Sequence, residues 1–123
     1  MDSPAKRSLK LLRETGHHAQ VVERWNQFAK VRQDLFGWID VVAVDPKRPG
    51  ILGVQTTTTA HQAERLQKGR GNGALVAWLL SGGRLAVHGW RKNTSNRWVV
   101  TETEVTMQDL VSDGREAANE SPR

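Results

Sequence analysis

The run Trp38-Ile39-Asp40-Val41-Val42-Ala43-Val44-Asp45 constrains the fold of this chain more than any other. Six of its side chains are apolar, and a single Asp40 interrupts them before the closing Asp45. A strand wetted on one face alternates apolar and polar residues. A strand that is apolar at nearly every position is covered on both faces. The sequence therefore predicts a central strand over 38–45, a turn through Asp45-Pro46-Lys47-Arg48-Pro49-Gly50, and a return strand over 51–57. Covering both faces of such a hairpin calls for helices above and below it, and the flanking segments supply them.

Ser3 and Pro4 suit the cap and first position of a helix that Gly16 ends, with Ala5, Leu9 and Leu12 at helical spacing. Residues 18–25 read as one strand, and 26–34 carry no clear periodicity. Thr59 and Gln62 read as a capping box for a helix to about Lys68, ended by Gly69. Gly69-Arg70-Gly71-Asn72-Gly73 reads as a flexible joint, and 74–80, wholly apolar, as a buried helix. Residues 84–90 and 97–101 read as a final hairpin around Asn93-Thr94-Ser95-Asn96. The order is helix, three strands, helix, two strands. The expected architecture is a single α/β domain over 1–111, a small mixed sheet with helices on both faces. The apolar-poor segment 112–123 is expected to be a disordered tail.

The central hairpin also carries the chemistry. If the turn pairs Asp45 with Gly50, Asp40 falls opposite Gln55, and directly opposed residues share a face. Thr57 shares the face of Gln55, so Asp40, Gln55 and Thr57 form a polar cluster in an apolar setting. A lone Asp inside a central strand is costly unless it is paired or bound to a metal. Pairing with Arg24 or Arg32, or capping of a nearby backbone, is the alternative. On the following helix His61, Arg65 and Lys68 are spaced to form one basic face, fit for a phosphate backbone or simply for water.

Gly37-Trp38-Ile39-Asp40-Val41-Val42-Ala43 followed by Gly53-Val54-Gln55-Thr56-Thr57 resembles the PD-(D/E)xK nuclease superfamily. That family places Asp on the first strand of a hairpin and Glu-x-Lys on the second, between helices. Within it, the segment is most similar to archaeal-type Holliday-junction resolvases. The likeness covers roughly residues 8–101. It implies a restriction-endonuclease-like αβββαβ core and a metal-dependent DNA endonuclease acting on branched DNA. It also implies Mg²⁺ or Mn²⁺ as cofactor and a symmetric homodimer.

Carried over residue by residue, the resemblance makes Asp40 the metal-binding Asp. Gln55 stands where Glu belongs, offering a carbonyl oxygen without charge. Thr57 stands where the Lys belongs, and a hydroxyl supplies no cation. Lys68, or Arg65, could reach back from the next helix in its place. Glu23 or Asp34 could restore a second carboxylate. Lys6, Lys10, Arg32, His61, Arg65 and Arg70 are the expected phosphate contacts. With the Glu charge and the Lys both missing, a catalytically inactive DNA-binding module on the same fold is the second reading. A protein-interaction domain using Trp90 and Trp98 is the third.

Composition narrows the field. The chain has no Cys, which excludes disulfides, thiolate zinc sites and a cysteine nucleophile. Its four His show no zinc spacing. No nucleophile elbow, P-loop or dinucleotide fingerprint is present. The net charge of +5 favours a polyanionic partner. The sequence shows no secretory signal and no apolar run near the roughly 18 residues of a membrane span, so a cytoplasmic location is expected. Five Trp stand in the chain. Trp38 and Trp78 are expected in the core, and Trp25, Trp90 and Trp98 near strand ends beside arginines.

Overall fold

The first helix starts as its sequence dictates. The Ser3 side chain accepts a bond from the Lys6 amide, and Pro4 occupies the first helical position of α1 (Pro4–Glu14). The structure is a computed structural model, and it describes residues 3–111. The tail expected over 112–123 lies outside the described residues. After α1 come β1 (His18–Val21), β2 (Arg24–Asn26), β3 (Val31–Gln33), β4 (Val41–Asp45) and β5 (Arg48–Thr58). A 3₁₀ turn then leads into α2 (Gln62–Lys68), α3 (Gly73–Leu80), β6 (Arg84–Lys92), β7 (Trp98–Val105) and α4 (Met107–Val111).

Five strands form one mixed sheet in the order β1-β4-β5-β6-β7, and β2 and β3 form a separate hairpin. All pairs in the large sheet are antiparallel except β5 with β6. A parallel step needs a crossover connection, and the 3₁₀ turn with α2 and α3 provides it. On one face Ala5 and Leu12 of α1 pack over Val41, Ala43, Leu52, Val54 and Ala86. On the other, Leu75 of α3 and Leu110 of α4 pack with Trp38, Ile39, Leu85, Val87 and Val105. The expected helix-covered mixed sheet is therefore observed. Gly53 on β5 is what lets Ile39 reach the second core. A Cβ there would stand 2.7 Å from Ile39 Cδ1.

The central register is the expected one: Val41 pairs with Val54, Val42 with Gly53 and Ala43 with Leu52. The turn is different. Asp45 pairs with Arg48, not Gly50, and the register shifts between Ala43 and Asp45. Asp45 Oδ1 accepts from the Lys47 amide, which tightens the turn. Gly50, at φ +94°, absorbs the surplus residues on β5.

Other expectations need correction. Residues 18–25 are two strands, because β1 ends at Val21 and β2 turns away to pair with β3. The strand at 38–45 starts only at Val41; Trp38 and Ile39 belong to a tight reversal in which Phe36 and Gly37 have φ of 56° and 74°. The Thr59–Gln62 capping box does not form. Gln62 instead donates to the Thr101 carbonyl and to Thr103 Oγ1 across the sheet. Helix α3 is buried only at Leu75, and Leu80 is 75% exposed. Trp78 is half-buried rather than fully enclosed, its Nε1 donating to the Ile51 and Arg84 carbonyls. Trp90 is buried.

Trp90 belongs to a chain of hydrogen bonds that locks α1 to the sheet. Its Nε1 donates to Ser8 Oγ at 2.9 Å. Ser8 Oγ lies 2.8 Å from His88 Nδ1, and His88 Nε2 lies 3.2 Å from Glu102 Oε2. An indole N–H only donates, so Ser8 accepts there. The Glu102 carboxylate only accepts, so in the neutral imidazole the proton sits on Nε2 and Nδ1 accepts from the Ser8 hydroxyl. The bond from His88 holds Glu102 below the usual carboxylate range, against the opposing effect of burial. A Ser, His and Glu in line suggest acyl transfer, but Ser8 is fully buried and its oxygen already engaged. The network is structural.

Candidate functional site

Between β1 and β4 the chain leaves the sheet and comes back. The Val22 amide donates to the Asp40 carbonyl at 2.8 Å, which closes the base of this excursion. Glu23 is the first residue outside the closure. The β2–β3 hairpin follows, Asp34 ends it, and the 35–39 reversal returns the chain to Asp40. That reversal is held by an antiparallel bridge between Leu35 and Ile39. The Trp38 Nε1 bond to the Arg65 carbonyl and the Asn72 side-chain bond to the Phe36 carbonyl fix its position. Local backbone geometry thus gathers three carboxylates. Oxygens of Glu23, Asp34 and Asp40 all lie within 4.8 Å of one another.

Asp40 is the buried member, 5% exposed, while Glu23 and Asp34 are half-buried. Asp40 Oδ2 accepts from the Thr56 amide at 2.8 Å and from Thr56 Oγ1 at 3.1 Å. Its pKa is pushed up to about 7, first by burial and next by a hydrogen bond with Asp34. The Thr56 amide, partly offsetting this, favours the charged form. Two carboxylates sharing a hydrogen bond hold a proton between them, and a cation can take that proton's place.

The other expected site residues are placed as follows. Gln55 is fully buried, and both ends of its amide are used. Its Oε1 accepts from Arg65 Nη1 at 2.9 Å, and its Nε2 donates to the Trp38 carbonyl at 2.6 Å. Thr57 is buried on β5, but the hydroxyl that meets Asp40 is that of Thr56. Arg65 is thus tied inward to Gln55. His61 precedes α2 and pairs with Glu64 on the surface, so the basic face expected from His61, Arg65 and Lys68 is not one helical stripe. Lys68 is exposed at the end of α2. It lines a cavity of about 760 Å³ together with Arg32, Asp34 and Phe36. Arg70 is exposed just beyond α2. Lys6 and Lys10 are exposed on α1, which packs on the first core, and Lys10 lies 4.0 Å from Glu14.

The donor set is three carboxylates of mixed burial beside cationic side chains. Hard divalent ions such as Mg²⁺ and Mn²⁺ take oxygen ligands of this type, with water completing the shell. Glu23, Asp34 and Asp40 fit such an ion. Gln55, with its oxygen given to Arg65, does not. Sequence reasoning missed Thr56 as the partner of Asp40. The signal was its place between Gln55 and Thr57, one residue from the position opposite Asp40. Compared with known proteins, the chain matches no family model, no curated protein and no solved structure.

Proposed function

We propose that this chain is a metal-dependent DNA endonuclease of the PD-(D/E)xK type, built on a restriction-endonuclease-like core and acting on branched DNA as a symmetric homodimer. The observation that carries the reading is the meeting of Glu23, Asp34 and Asp40 within 4.8 Å of one another, with Asp34 also lining a cavity beside Arg32 and Lys68. In this reading the three carboxylates hold Mg²⁺ or Mn²⁺. Such an ion offsets phosphate charge and makes water more acidic. The chain does the rest. Thr56 fixes the Asp40 carboxylate by two bonds. Lys68, exposed and without an ion-pair partner among the described residues, supplies the positive charge that Thr57 cannot. Arg32 and Arg70 hold neighbouring phosphates. Gln55 positions Arg65 and the 35–39 reversal instead of ligating.

The capture of Gln55 by Arg65 favours one second reading, a DNA-binding module that has lost its chemistry. The two readings part on one experiment. Pure protein is incubated with a labelled four-way junction and with matching duplex, in Mg²⁺ or Mn²⁺, beside Asp40→Ala. Nicks placed symmetrically on the junction, lost in Asp40→Ala, are the expected result. Binding without cleavage, unchanged in the variant, would leave only the binding module.

A further inference from the structure

The excursion that carries Glu23 and Asp34 at its feet carries bare aromatic rings at its far end. Phe28, at the tip of the β2–β3 hairpin, is 98% exposed, and Trp25 on its stem is 53% exposed. A floppy loop could bring such rings into water by accident. This one is built. Asn26 Oδ1 accepts from the amides of both Phe28 and Ala29, at 2.9 and 3.0 Å. The Asn26 carbonyl accepts from the Lys30 amide at 2.8 Å, and its Nδ2 donates to Gln33 Oε1 at 3.1 Å. Lys30 takes a left-handed φ of 57° to complete the turn. One residue therefore fixes the tip by four bonds and holds Phe28 outward.

The charges on the hairpin itself are of one sign, and the acids Glu23 and Asp34 begin only at its feet. Arg24, Lys30 and Arg32 lie on the hairpin, all exposed, and none of their side chains has an ion-pair or hydrogen-bond partner among the described residues. Trp25 lies directly opposite Arg32, so ring and guanidinium share a face of the ribbon. The hairpin itself spans 24–33 and contains no acidic residue. A rigid ribbon of aromatic and cationic side chains suits a strand whose phosphates meet the cations and whose bases are free to stack. Continuous duplex offers the phosphates but hides the base faces. A branch point or a single-stranded segment offers both.

We propose that the β2–β3 hairpin is the element that reads DNA structure, with Phe28 and Trp25 stacking on unpaired bases and Arg24, Lys30 and Arg32 holding the adjacent phosphates. This rests on the nuclease reading for its orientation, because the same excursion brings the bound strand to the carboxylates. It makes its own demand, however: a preference for unstacked bases set by two rings that touch nothing in the catalytic cluster.

The test uses full-length protein with Ca²⁺ in place of Mg²⁺, and fluorescence anisotropy with a labelled four-way junction, a single strand and a matched duplex. Trp25→Ala/Phe28→Ala is expected to weaken junction and single-strand binding roughly tenfold or more, the effect of losing base–aromatic stacking. Duplex binding is expected to stay within about twofold. With Trp25 intact, Phe28→Trp should keep near-native junction affinity where Phe28→Ala loses it. Both rings are solvent-exposed, and an unchanged melting temperature will show that the fold is intact. Equal loss on all three DNAs, or no loss on any, overturns the proposal. So does an unchanged junction affinity with altered self-association, which would make the tip a protein contact. Cleavage assays with Asp40→Ala separate this from the parent reading. Asp40-dependent cleavage with no ring effect sinks the hairpin proposal alone. Ring-dependent junction binding without cleavage sinks the nuclease alone.

Discussion

Asp40 is buried, hydrogen-bonded to Asp34 and raised to about 7. An acid whose folded pKa exceeds its unfolded value binds more protons when folded, so it favours folding at low pH. That contribution is full below about 3.8, the ordinary value, and is lost as pH rises through about 7. A shift of this size corresponds to stability on the order of a few kcal/mol. In the presence of a chelator, the melting temperature is expected to fall between pH 5 and pH 8. Asp40→Asn keeps an oxygen for the Thr56 amide and removes the charge, so its melting temperature should hold nearly level over the same range. Mg²⁺ should raise the melting temperature of the native chain at pH 8 and have less effect at pH 5, where a proton competes for Asp40. Thermal melts across the two pH values, with and without Mg²⁺, check all three outcomes. A native chain with a flat profile would remove the case for a strained carboxylate pair.

Among the elements, α1 is held by its apolar stripe and also by one buried hydroxyl, that of Ser8. Ser8→Ala would leave Trp90 Nε1 without an acceptor and His88 Nδ1 without a donor, both in buried surroundings. A buried orphan of this type costs about 1–3 kcal/mol, so a loss of about 2 kcal/mol in chemical denaturation is expected. Glu102→Gln, at the half-exposed end of the chain, should cost well under half as much. This network also shows where sequence reading stops. Helix α1, the central register and the final hairpin were legible, because each is written in short-range pattern: a Ser-Pro cap, an apolar run, a polar turn. Ser8 and His88 stand 80 residues apart, and no periodicity links them. The strand expected over 18–25 failed for a related reason. Its residues favour extended backbone, but which partner they pair with is a long-range matter, and after Val21 the partner changes from β4 to β3. Residues 26–34 looked patternless because their order comes from side-chain bonds of Asn26, not from hydrophobic repeats.

At the scale of the whole molecule, the positive charge is the property that a polyanion meets first. If DNA is the partner, as proposed, its affinity for this chain of net charge +5 is expected to fall steeply with salt. Each phosphate contact contributes about 0.9 to the slope of log affinity against log salt on duplex. Arg32→Ala and Lys68→Ala should each lower that slope by about one, with anisotropy titrations at several salt concentrations as the measurement. An unchanged slope in both would place the DNA somewhere other than the cavity beside the carboxylates. The candidate site itself was half-legible. Glu23, Asp34 and Asp40 could be named from the sequence as acids in need of a purpose, but their meeting depends on where the Val22–Asp40 bond shuts the excursion. That closure has a further consequence. The acids stand at the two feet of one arch, and the aromatic tip is its crown. With the base shut by the Val22–Asp40 bond, a change of length at the crown is expected to leave the feet in place. If the feet hold a metal and the crown grips DNA, as proposed, selectivity and chemistry can change independently of each other.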